Sequence, residues 1–141
     1  MSLVSGIAAF EAKEFRRAMQ LLEPLAQLGD AQAQFRLGVM FQNGLGVVRD
    51  EQRGFYWMQM SASQDHALAQ HALGVMYLYG EGVKQDDAEA LRWFECGAKR
   101  GLLGSLTSLA MMYEQGRGVD KDPERARALY RQAGFDDLES K

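Results

Sequence analysis

Two histidines, one cysteine, scattered serines and three Gly-x-Gly loops are the residues of this chain whose types could do chemistry. His66 and His71 are the only histidines. Five residues apart on a helix, they project about 140° from one another and cannot share a metal ion. Cys96, the only cysteine, adds at most one ligand from another helix, so neither a metal site nor a cofactor is expected. Gly44-Leu45-Gly46, Gly80-Glu81-Gly82 and Gly116-Arg117-Gly118 could pass for phosphate loops. They follow helical patterns rather than strands, and no Lys-Ser or Lys-Thr pair comes after them, so the nucleotide reading fails. Ser61, Ser63, Ser105 and Ser108 lie outside any Gly-x-Ser-x-Gly elbow. The paired acids Asp86-Asp87 and Asp136-Asp137 read as a helix start and a solvated tail. No constellation supports catalysis, and no catalytic residue is assigned.

Bulk properties narrow the partners. A chain of 141 residues is one domain by size. Sixteen basic against 19 acidic side chains give a net charge of −3, with no basic excess to neutralise phosphates, so nucleic acid is not the expected partner. Lys99, Arg100, Arg125, Arg127 and Arg131 concentrate positive charge near the carboxy terminus. They read as a solvated face, the alternative being a dock for an acidic partner. A single cysteine precludes an internal disulfide and points to a reducing compartment. Met1 to Lys13 has no basic segment before its apolar stretch, and no run approaches the roughly 20 apolar residues that span a bilayer. The expectation is a cytoplasmic protein with no membrane partner.

The elements that hold these residues repeat. Residues 31–66 and 67–102 are identical at 13 aligned positions, among them Leu37/Leu73, Gly38/Gly74, Gly44/Gly80, Gly46/Gly82, Asp50/Asp86 and Trp57/Trp93. Leu109, Met112, Tyr113, Gly116, Gly118, Val119 and Asp122 continue the pattern. Apolar residues recur at three- and four-residue spacing, so each unit reads as a pair of helices. Helix A is expected near 31–42, 67–79 and 103–115, and helix B near 51–64, 87–100 and 123–134. Gly44, Gly80 and Gly116 suit the positive φ that ends a helix. Asp50, Asp86 and Asp122 are placed to cap helix B, with Pro123 at its first position. Residues 2–29 read as a shorter first pair, in which Pro24 is expected to bend the last turn.

These motifs resemble the SEL-one-like repeat, a relative of the tetratricopeptide repeat with a longer inter-helix loop. The resemblance rests on an alanine-rich helix A ending in Leu-Gly-x-x-Tyr, then Gly-x-Gly-Val, an Asp and a Trp-bearing helix B. It covers residues 31 to about 134, and 6–29 look like the tetratricopeptide-type unit often found first. Leu103, Leu129 and Gly134 depart from it in the last repeat. The resemblance implies an all-α fold, an α/α right-handed superhelix of antiparallel helix pairs with helix A on the concave side. It also implies a non-catalytic scaffold or adaptor, commonly bacterial. One cysteine sets the chain apart from the disulfide-rich branch linked to β-lactam or peptidoglycan binding. The organisation expected is one solenoid domain over 1–141: a first pair at 2–29 and repeats at 31–66, 67–102 and 103–138.

If helix A lines the inner surface, the face opposite Leu73 and Tyr77 carries Phe35, Val39 and Gln42, then His71, Val75 and Leu78, then Thr107, Met111 and Glu114. Ile7 and Phe10 would extend the strip. An apolar strip with polar rims suits a protein or peptide segment. The bland alternative has Val39, Val75 and Met111 packing against neighbouring helices. Rival functions are a structural module self-associating into a homo-oligomer through uncapped terminal repeats, and a toxin-specific inhibitor or immunity protein. An enzyme ranks last.

Overall fold

The computed structural model describes residues 2–135. They form α1 (Leu3–Glu11), α2 (Phe15–Gln27), α3 (Ala31–Asn43), α4 (Glu51–Ala62), α5 (Ala67–Tyr79), α6 (Asp87–Lys99), α7 (Leu103–Gln115) and α8 (Pro123–Gln132). Among the described residues there is no strand, and no helix is long and apolar enough to cross a membrane. Each odd-numbered helix packs on the even-numbered helix after it. The pairs then stack in order, α2 on α3, α4 on α5 and α6 on α7, and α1 also touches α3. The three helix A expectations match within a residue, and helix B ends one or two residues early. The expected last unit ran to residue 138, so its final three residues, with Asp136 and Asp137, lie outside the described residues.

Local signals do what their chemistry requires. Gly44, Gly80 and Gly116 take φ of 68°, 69° and 71°, and their N–H groups close helix A on Met40, Met76 and Met112 carbonyls. Asp50, Asp86 and Asp122 each accept a bond from a backbone N–H three residues on, at 3.1, 3.1 and 3.0 Å. α2 runs past Pro24 to Gln27, with the Leu28 N–H donating to the Pro24 carbonyl at 3.1 Å.

The second glycine of each loop has a different task. A Cβ on Gly82 would lie 2.2 Å from the carbonyl oxygen of Glu51, the first residue of α4. On Gly118 it would lie 2.8 Å from the carbonyl oxygen of Asp87, the first residue of α6. On Gly46 it would meet the backbone of Phe15, where α2 begins. Each loop therefore seats, backbone against backbone, on the start of helix B one unit earlier. Residues between the glycines strengthen two of these seats. Glu81 accepts a bond from Gln42 at 3.0 Å, and Arg117 pairs with Asp87 at 2.8 Å.

Within a pair, a small residue on helix A receives a large one from helix B. A Cβ on Gly6 would meet Leu22 at 2.5 Å, on Gly38 would meet Met58 at 2.9 Å, and on Gly74 would meet Phe94 at 2.6 Å. Met58 and Phe94 are fully buried, whereas Trp57 and Trp93, one residue earlier, are half-buried against the neighbouring core. The core runs the length of the stack in three segments. These centre on Leu22 and Leu37, on Met58, Leu73 and Met76, and on Phe94, Leu109 and Leu129.

Candidate interaction surface

Two contacts, one to the unit before and one to the start of the unit after, bracket the outward side of α3. Arg36 lies over the Phe10 ring of α1, 5.9 Å from its centroid. Phe35 stacks on His66 at the threshold of α5, with centroids 5.0 Å apart and planes at 25°. Between these two neighbours α3 presents Gln32, Arg36, Val39 and Asn43. The same positions are Leu68, Ala72, Val75 and Tyr79 on α5, and Gly104, Ser108, Met111 and Gln115 on α7. With helix A on the concave side, as the repeat resemblance implies, this row is the inner surface. Its centre is apolar and open, with Leu68 50% and Tyr79 65% exposed. Polar side chains flank that centre on both sides.

Arg36 carries the only charge in these three rows. Burial pushes its pKa down, opposed by the nearby carboxylates of Glu11 and Asp30. Its Nη1 donates to the Gln32 carbonyl at 3.2 Å, while Nε is buried without a partner among the described residues.

The strip expected from periodicity lies about 60° round the helix from this row. The two share Val39, Val75 and Met111, all half-buried at the margin. Phe35, Gln42, His71 and Leu78 turn toward the next repeat, while Thr107 and Glu114, in the last repeat, bond within it. Leu78 is corrected outright: it is 4% exposed, in the core segment of Phe94, Leu109 and Leu129. It faces the third repeat because stacking must bury an apolar side there. At the equivalent position Gln42 donates to Glu81, and Glu114 accepts from the Tyr130 hydroxyl at 3.3 Å. Thr107 donates to the Gly104 carbonyl at 3.1 Å. Ile7 is half-buried on α1, and Phe10 packs edge-on against Phe15 as well as beneath Arg36.

His71 Nδ1 lies 2.9 Å from Ser105 Oγ, a histidine–serine contact with a catalytic look. Ser105 is fully buried, so its oxygen cannot reach a substrate. The His71 pKa is lowered by burial, and among the described residues no carboxylate orients the ring. The pair joins α5 to α7 and serves packing. No group of three His, Cys, Asp or Glu among the described residues could hold a metal ion. A depression of about 610 Å³ lies away from the inner row, between Arg49–Gln52 and Gly82–Lys84.

Missed from sequence were Leu68, Tyr79 and Arg36. Comparing the repeats would not have found them, because the inner row and the stacking face vary alike. Gln32/Leu68/Gly104 differ as fully as Phe35/His71/Thr107.

Comparison with known proteins agrees with this architecture. The Sel1 repeat model matches residues 31–66, 67–102 and 105–134. Among solved structures, the chain is similar to a protective antigen of uropathogenic Escherichia coli strains displaying an SLR fold. That match has 35% identity over 84% of this chain and a TM-score of 0.82. It is also similar to a Sel1 repeat protein from Oxalobacter formigenes, with 28% identity over 92% of this chain and a TM-score of 0.87. The aligned region spans 26% and 52% of those two proteins. Cysteine-rich protein B of Helicobacter pylori is 18% identical, over 88% of this chain and 91% of that one, with a TM-score of 0.66, and shares the fold. No curated protein sequence gives a significant match. With eight helices and no strand among its described residues, three matched repeats and these structural relatives, the chain is an α/α right-handed superhelix and belongs to the Sel1 repeat family.

Proposed function

We propose that the chain is a non-catalytic scaffold that takes an extended segment of another protein along its inner surface. The observation that carries this reading is the open apolar centre of that surface, Leu68, Ala72, Val75 and Tyr79, set between polar rows on α3 and α7. Sel1 repeats commonly serve as protein-interaction modules. Chemistry supports the same reading: a large exposed tyrosine and leucine on rigid helices offer contact area at little ordering cost. The single free thiol, Cys96, suits a reducing compartment such as the cytoplasm.

Affinity capture from source-cell extract, comparing the wild-type chain with a Leu68→Ser/Tyr79→Ala variant, tests the proposal. Proteins retained by the first and lost by the second mark the surface as the binding face. Equal retention by both, with the variant folded, removes it.

A further inference from the structure

Asp30, His66 and Leu102 occupy the same place in three successive units, the residue before helix A. The Asp30 carboxylate accepts from the Ala33 N–H at 2.9 Å, and Leu102 provides no side-chain cap. In the middle unit the His66 ring does the capping: the Ala69 N–H donates to Nδ1 at 3.3 Å. An imidazole can accept at Nδ1 only when neutral, with its proton on Nε2. We infer that the α4–α5 turn is an acid-sensitive joint, where protonation of His66 uncaps α5 and loosens the first Sel1 repeat from the second.

Every element packed against this ring bears on its charge. From α3 come Phe35, stacked on it, and the Arg36 guanidinium. From the end of α6 comes Arg100, which is paired with Asp65 beside the histidine at 3.2 Å. From the α2–α3 turn comes Asp30. Burial depresses the His66 pKa most, Arg36 and Arg100 depress it further, and Asp30 opposes them. The Phe35 ring by itself would welcome a cation. Against it stand both arginines, the positive end of α5 and an N–H that would then face a second N–H. To escape, the imidazolium must swing off Ala69, and in doing so it leaves Phe35. That ring contact ties α3 to the start of α5 across the repeat boundary.

The sign follows from the depressed pKa. The unfolded chain, with histidine near 6.5, takes up the proton first. The joint is therefore fully formed above about pH 6.5 and weakens as pH falls below it. The test uses the whole chain and a His66→Asn variant, whose side chain caps at every pH. Nitrogen NMR of the imidazole should show the Nε2–H tautomer at pH 7.5. Between pH 7 and 5 the amides of the first turn of α5 should lose protection by about fivefold more in wild type than in the variant, the equivalent of one lost cap. An Nδ1–H tautomer, a His66 pKa at or above 6.5, or parallel loss in both proteins overturns the inference. If the variant does not fold, the wild-type tautomer and titration decide alone.

Discussion

His71 and Ser105 meet across the boundary between the second and third Sel1 repeats, and both depart from the residues their own repeats would dictate. Position 71 is Phe in the unit before, and position 105 is Ala in both earlier units. Two more departures make room. Gly97 stands where Ser61 does one unit earlier, and a Cβ there would lie 2.1 Å from Ser105 Oγ. Gly104 stands where Leu68 does, and its Cβ would come within 3.1 Å of the His71 ring. The four residues form one fitted unit.

Gly97→Ala should accordingly destabilise the chain by roughly 1–3 kcal/mol through overpacking. Adding Ser105→Ala removes the clashing oxygen but leaves the Ser105 Cβ 2.8 Å away, so it should recover part of that loss. Urea unfolding of the two singles and the double gives the coupling, expected to exceed about 1 kcal/mol. Additive losses would mean that Gly97 and Ser105 are independent.

Leucines five residues apart on α5 should behave oppositely. Leu73 is fully buried, and Leu73→Ala should cost roughly 2–5 kcal/mol by opening a cavity. Leu68 is half exposed on the inner surface, and Leu68→Ala should stay within about 0.5 kcal/mol of wild type. Thermal unfolding of both variants checks the contrast, and partner capture should show the reverse order.

Glycines of similar φ separate close approach from conformation. Gly101, with φ of 78°, has nothing within 4 Å of the place a Cβ would take, so Gly101→Ala should cost only the left-handed penalty of roughly 1–2 kcal/mol. Gly82, with φ of 75°, touches the Glu51 carbonyl, and Gly82→Ala should cost at least about 1 kcal/mol more than Gly101→Ala. Equal losses in denaturant unfolding would show that the loop can back away from α4.

Arg117 and Asp87, each about one-third exposed, should couple by about 0.2–1 kcal/mol in a double-mutant cycle, falling as salt rises. Asp87 also lies in the first turn of α6, so Asp87→Ala alone should cost more than the pair is worth. A coupling indifferent to salt would assign the contact to packing.

Much of the fold was legible because each repeat carries its own punctuation: a glycine to stop helix A, an aspartate to start helix B, and leucines at helical spacing between. The candidate surface was less so. Periodicity says which side of a helix is apolar, and says nothing about which apolar side meets the next unit. Leu78 shows the consequence, since it reads as groove by spacing and is core by stacking. Arg36 and Tyr79 escaped notice because neither follows an apolar pattern. The second glycine of each loop was visible as a residue, but its partner, the first carbonyl of a helix one unit away, leaves no mark in local sequence.

That glycine has a wider consequence. Where main chain rests on main chain, the pitch from one unit to the next is ruled by atoms common to every amino acid. Mutation can exchange core side chains, raising or lowering stability, while the array keeps its curvature; the inner face can then diversify on a frame whose dimensions hold still.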